Sequence, residues 1–139
     1  MSSSIHTDRA PAAIGPYSQA VRTENFVFTS GQIPLDPETG ALWGETIAQQ
    51  THRVCQNLEA ILAAAGSSLK HVLKTVCYLR DMQDFAEFNR IYGQYFTGKP
   101  ARSCVAVREL PKGALVEIEV IAEICGENGM QGCGKDGAR

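Results

Sequence analysis

The sequence predicts an α+β domain in which a sheet of about five or six strands carries two helices on one face. Three observations lead there. The segments 101–107 and 116–122 alternate with a period of two. The segments 46–66 and 83–96 each place apolar residues on one helical stripe. Two helices cannot cover both sides of such a sheet, so its second face is left to be buried by another subunit.

The elements follow in the order β-β-(β)-α-β-α-β-β. Residues 10–16 form an extended lead-in broken by Pro11, Gly15 and Pro16. Tyr17 to Arg22 and Phe26 to Ser30 are strand-like and are separated by Thr23-Glu24-Asn25, which makes a hairpin. Gly31 to Gly40 is a loop marked by Pro34, Asp36-Pro37 and Thr39-Gly40, and a short strand around Ala41 to Trp43 is expected after it. The first helix has a start signal in Thr46 and Gln49, the spacing of a capping box. Ile47, Val54, Leu58, Ile61, Leu62 and Ala65 line its apolar side, and Gly66-Ser67-Ser68 stops it.

Val72 to Leu79 is β-branched and apolar on both parities, as a central buried strand requires. The second helix runs from about Gln83 to Phe96, with Asp81 or Met82 near its cap. Its stripe is Phe85, Phe88, Tyr92 and Tyr95, and Gly98-Lys99-Pro100 ends it. The last two strands are expected to form a hairpin through Leu110-Pro111-Lys112-Gly113. Pairing of Ser103, Val105 and Val107 with Val116, Ile118 and Val120 then puts Arg102, Cys104, Glu117 and Glu119 on the other side as neighbours, roughly 4.5–8 Å apart. Such a cluster is either a salt-bridged sheet surface or a small site for an anionic substrate, and the pattern leaves both open.

Composition narrows the function. The chain has 139 residues, enough for one domain and too few for two. Residues 1–125 are expected to be that domain, and 126–139, with five glycines and almost no apolar content, a disordered tail. A formal net charge of −2 argues against a broad basic field for nucleic acid. Five cysteines at irregular spacing fit a reducing compartment better than a disulfide framework. No apolar run reaches the length of a membrane span, and Met1 to His6 lacks a secretory pattern. A cytoplasmic location is expected; Ser richness and Arg9 point weakly to an organellar presequence, and Asp8 and the brevity of the segment oppose it.

Several blocks resemble one known family in their order. They are Ala10-Pro11-Ala12-Ala13-Ile14-Gly15-Pro16-Tyr17-Ser18-Gln19, Thr29-Ser30-Gly31-Gln32-Ile33-Pro34, Gln56-Asn57-Leu58, Asp84-Phe85-Ala86 with Asn89 and Tyr92, Pro100-Ala101-Arg102-Ser103, and Val116-Glu117-Ile118-Glu119-Val120-Ile121-Ala122. Over roughly residues 8–125 the chain resembles the RidA/YjgF reactive-intermediate deaminases. The resemblance implies a chorismate-mutase-like sheet of about six strands, a homotrimer with a site in each inter-subunit cleft, and no cofactor or metal. It implies hydrolysis of enamines and imines such as 2-aminoacrylate (2-iminopropanoate) and 2-iminobutanoate to a 2-keto acid and ammonia. Activities also linked to the family are endoribonuclease and translation inhibitor, and a non-catalytic metabolite-binding or chaperone-like trimer is a further alternative. The absence of a basic stripe, a stacking platform and a His pair speaks against the ribonuclease.

The resemblance assigns Arg102 to the substrate carboxylate, which a guanidinium grips with a planar fork; a cross-strand ion pair is the bland alternative. Glu117 suits proton transfer to and from water and the imine nitrogen, with Glu119 as its rival on the same face and a salt bridge to Arg102 as the bland alternative. Cys104 has no His near in sequence to activate it and is expected only to line the cleft. Tyr17 and Ser30 can supply hydroxyls, against packing and turn chemistry as the plainer roles. Gly31 can offer its backbone N–H at close range, and Asn89 is either at the cleft edge or solvated. His6, His52 and His71 have no expected role.

Overall fold

The computed structural model describes residues 1–125, so the glycine-rich tail and Cys133 lie outside the described residues. The elements are β1 (Ser3–Ile5), β2 (Ala20–Arg22), β3 (Phe26–Thr29), α1 (Ile47–Ala65), β4 (Val72–Leu79), α2 (Phe85–Tyr95), β5 (Ala101–Ala106) and β6 (Val116–Glu123). The strands form one mixed sheet in the order β1-β2-β3-β6-β4-β5. Every pair is antiparallel except β4 with β5, which is parallel. The α+β fold with six strands and two helices on one face stands as expected.

The helices begin and end where their caps dictate. The Thr46 hydroxyl accepts from the Gln49 N–H at 3.1 Å, and Gln49 Oε1 accepts from the Thr46 N–H at 3.2 Å, a complete capping box. Gly66 closes α1 with φ 87°, a left-handed conformation suited to glycine. A 3₁₀ turn at Met82–Asp84, with Asp81 accepting from the Gln83 N–H, leads into α2. The stripe of α1 is fully inside, and Phe88, Ile91, Tyr92 and Phe96 from α2 join it against Val72, Cys77, Leu79, Val116, Ile118, Val120 and Ala122 of the sheet. At roughly 25 cal/mol per Å² of apolar area this layer is the main stabilising term.

Among the described residues no element covers the other face of the sheet. Val21, Phe26 and Phe28 lie on it exposed, alongside Val105, with Ile121, Val76, Tyr78, Glu117 and Glu119 half-buried between them. Apolar side chains in such a row are rare on a free surface.

Three expectations fail. Residues 3–5, for which the sequence predicts no strand, form the edge strand β1 against β2. The segment at Ala41 to Trp43 makes only an isolated bridge, Leu35 with Leu42. The third failure matters most: β5 and β6 are not a hairpin. The 107–115 connection is far longer than the two-residue loop a tight hairpin uses, and β4 lies between the two strands. The α2 crossover returns the chain parallel to β4 on its outer side, the long, usually helical connection that parallel neighbours require. Cys55, Cys77 and Cys104 are free thiols.

Candidate functional site

The insertion of β4 splits the predicted cluster in two. On β4, Thr75 faces Arg102 and Cys77 faces Cys104 as register partners. Thr75 and Cys77 are on the helix-covered side, so Arg102 and Cys104 share that side. Glu117 pairs with Tyr78 and Glu119 with Val76, on the open side. Two strand spacings and about three residues of offset separate Arg102 from Glu117, roughly 14 Å between backbones, on opposite faces. Within one protomer the two are not neighbours, and Cys104 does not lie between them.

The Glu117 half is built around a bulge. Phe28 pairs with Ile121 and Gln32 bridges Ile118, so β3 and its continuation spend one residue more than β6 over that span. Val120 N–H, deprived of a ladder partner, donates to Thr29 Oγ1 at 3.0 Å. Pairing resumes where the Gln32 N–H donates to Ile118 at 2.8 Å and the Ile118 N–H to Gln32 at 3.1 Å. The bulged Ser30-Gly31 pair is thereby pushed over Glu117. A Cβ on Gly31 would overlap Glu117 Oε2, so only glycine leaves room for this carboxylate.

A cleft of about 530 Å³ opens here, lined by Ile14, Tyr17, Ser30, Gly31, Lys112 and Glu117 among others. Tyr17 is 54% exposed at its mouth. The Ser30 hydroxyl donates to the Ser18 carbonyl at 2.6 Å, which leaves its oxygen lone pairs to accept from water or substrate. Burial, and then the like charge of Glu119, hold the Glu117 carboxyl above its ordinary value of 4.5. Glu119 itself accepts from the Tyr78 hydroxyl at 3.1 Å.

Buried amides hold the loops that wall this cleft. Gln19 donates to the Thr7, Ala10 and Pro11 carbonyls at 3.0, 3.3 and 2.7 Å and pins the lead-in segment. Asn57 donates to Leu35 at 3.0 Å, and Gln50 joins Gly44 to Leu115. The sequence reading missed these roles, and it missed Lys112 as a lining residue; a polar amide on an otherwise apolar helix stripe, as at Asn57, is the signal that could have found one.

The Arg102 half lies at the outer strand. The Arg102 Nη1 donates to Asn89 Oδ1 at 2.7 Å, so Asn89 holds the guanidinium rather than sitting solvated. The guanidinium carbon sits 4.8 Å from the Tyr92 ring centre and 5.5 Å from that of Phe85. Cys104 is half-buried on the same side, and burial raises its thiol above 9.0, against a smaller opposing effect of Arg102, so it stays protonated and unreactive.

The family model described as Endoribonuclease L-PSP matches residues 7–124. The chain is 47% identical over 126 residues, 88% of its length and 98% of the relative's, to the 2-iminobutanoate/2-iminopropanoate deaminase of Salmonella typhimurium. It superposes on the yjgF gene product of E. coli with a TM-score of 0.83 at 43% identity, over 87% of this chain and 98% of that one. The chain belongs to the RidA/YjgF family. Another solved structure, E. coli TdcF with bound serine, matches with a TM-score of 0.83, 43% identity and the same coverage of 87% and 98%. No helix among the described residues of this RidA/YjgF chain is long and apolar enough to cross a membrane. Nor does any group of three or more His, Cys, Asp or Glu side chains among those residues form a metal cluster. Its histidines stand apart from the cleft: His6 contacts Asp8, His52 the Tyr95 hydroxyl, and His71 the Ser68 hydroxyl.

Two outcomes follow for the Glu117 half. Gly31→Ala displaces only the end of a flexible side chain, so the protein stays folded with a melting temperature within about 5 °C, while kcat/KM for any reaction using Glu117 falls at least about tenfold. Thermal unfolding and turnover of the purified variant check this pair. The raised Glu117 pKa means that the folded state holds its proton more tightly than the unfolded chain. Its stabilising contribution is full below 4.5 and is lost as the pH rises through the folded value. Glu117→Gln is therefore expected to be more stable than the parent at neutral pH, with the difference closing below pH 4.5, as read from denaturant midpoints across pH.

Proposed function

We propose that this protein hydrolyses 2-imino and 2-enamino acids, 2-iminopropanoate and 2-iminobutanoate among them, to 2-keto acids and ammonia. The observation that carries the proposal is the half-buried Glu117 carboxylate, biased toward its protonated form and enclosed by Tyr17, Ser30 and Gly31. A carboxyl whose pKa is raised by burial gives up its proton less readily than a free one and suits a reaction that moves several protons. The near-full-length relative named as such a deaminase supports the substrate class, and serine in the E. coli TdcF structure is a small carboxylate-bearing ligand.

The chemistry needs little more. The protonated Glu117 gives its proton to the imine nitrogen, or to C3 of the enamine, and an iminium forms. Water adds to C2 as the Glu117 carboxylate takes one of its protons, giving a carbinolamine; Glu117 passes that proton to the amine nitrogen, the C–N bond breaks, and ammonia leaves as Glu117 takes the hydroxyl proton and the carbonyl forms. Tyr17 and Ser30 orient the water through their hydroxyls, and Gly31, on the cleft wall, offers its backbone N–H to the substrate. General acid–base assistance of this kind contributes about 10²–10⁴-fold.

Carboxylate binding falls to Arg102, and its separation from Glu117 in one protomer supports a site shared between copies. The uncovered sheet face, with Val21, Phe26 and Phe28, is the surface available for that assembly. We place the site at the contact of two copies in a homotrimer, with Arg102, Asn89 and Cys104 from one and Glu117, Tyr17, Ser30 and Gly31 from the next. Cytoplasmic placement goes with this role, since such intermediates arise where amino acids are metabolised.

The test generates 2-aminoacrylate or 2-iminobutanoate with a pyridoxal-phosphate dehydratase and traps it with semicarbazide. The protein is expected to compete with the trap. Arg102→Ala abolishes that competition while leaving the assembly intact, and Glu117→Gln lowers mainly kcat. Absence of competition by the parent protein, together with RNA cleavage that survives Arg102→Ala, would favour the ribonuclease that the family description names.

A further inference from the structure

Arg102 is an exposed side chain on an edge strand, and a free arginine there would sample many rotamers. It does not stand free. Its guanidinium lies over the Tyr92 ring at 4.8 Å and near Phe85 at 5.5 Å, with Nη1 tied to Asn89 at 2.7 Å. That single bond to Asn89 leaves other N–H groups of the fork for a carboxylate.

The ring beneath the guanidinium is itself fixed. Tyr92 is 7% exposed, and its hydroxyl meets Thr75 Oγ1 at 2.8 Å. Thr75 is fully buried and is the register partner of Arg102 on β4. The same ring stacks on Phe96 at 4.4 Å and contacts Phe88 at 5.5 Å. Burial is the main cause that raises the phenol above 10.0, so Tyr92 meets the cation as a neutral aromatic face. A buried hydroxyl pair on β4 and α2 thus sets the platform, and the platform sets the cation.

We propose that Tyr92, locked by Thr75, is a positioning residue that pre-orders the Arg102 guanidinium for the substrate carboxylate. The proposal rests on Arg102 being the carboxylate grip. Binding a carboxylate with a mobile arginine costs the entropy of ordering it, and a stacked arginine has that ordering already in place. The benefit lies in substrate capture rather than in the proton steps at Glu117.

The experiment compares Tyr92→Leu with Tyr92→Phe in the intact assembly. Removing the ring is expected to raise KM for 2-iminobutanoate by about tenfold with kcat within about threefold, and phenylalanine is expected to hold the rise to about twofold. NMR relaxation of the Arg102 Nε–Hε group reads the platform directly: restricted in the parent and in Tyr92→Phe, mobile in Tyr92→Leu. An unchanged KM in Tyr92→Leu, equal impairment by phenylalanine and leucine, or an equally ordered Arg102 in both would overturn the proposal. If the parent turns over no imine, the proposed function fails, and the relaxation data alone decide the positioning role. Should Tyr92→Leu not fold, Thr75→Val takes its place. It leaves a buried phenol unpaired and shifts the ring, raising KM about threefold, and Tyr92→Phe added to it removes the unpaired group and restores KM. Failure of the double variant to restore it, or no effect of Thr75→Val, would count against the lock.

Discussion

The position of β4 between β6 and β5 is the constraint on which the rest of this structure depends. It is an interior strand beside the edge strand β5, with Thr75, Cys77 and Leu79 fully buried. Because α2 returns the chain parallel to it, β5 is placed on its outer side, and β6 takes the inner side antiparallel. Register then does the remaining work. Partners across a sheet share a face, so Thr75 commits Arg102 to the helix side and Tyr78 commits Glu117 to the open side.

From that separation follows the organisation of the proposed chemistry. One protomer has a carboxylate in a cleft on one face and an aromatic-backed guanidinium on the other, with no means of closing one on the other. Placing the two in one reaction therefore calls for a second copy, and the open face supplies apolar surface for it. The bulge at Ser30-Gly31 and the buried amides of Gln19, Gln50 and Asn57 shape the carboxylate half. The α2 aromatics shape the guanidinium half. Each half is held by its own contacts, and a site assembled from two chains needs such support on both sides.

Much of the fold was legible in the sequence because its signals are local. The Thr46–Gln49 capping box, Gly66 and the β-branched and apolar segment Val72–Leu79 each act within a few residues, and each element formed as expected. The β5–β6 relation was not legible. Alternation fixes which residues share a side of one strand but not which side meets the core. On β5 the apolar residues are divided, with Val105 on one parity and Cys104 and Ala106 on the other. The choice goes with α2, whose Phe85 and Tyr92 rings accept the Arg102 guanidinium. The site residues Tyr17, Ser30, Gly31 and Glu117 do converge, yet the bulge that brings them together depends on a nonlocal pairing, Gln32 with Ile118, that no short motif encodes.

The central claim is that Arg102 of one copy works with Glu117 of another. Arg102→Ala and Glu117→Gln proteins, each inactive alone, are to be unfolded together, refolded as mixed assemblies and assayed for imine hydrolysis. The account predicts recovery of activity toward about a quarter of the parent level, the share of contacts in a random mixture at which both intact residues meet. Mixed assemblies that form but stay as inactive as either parent variant would contradict it.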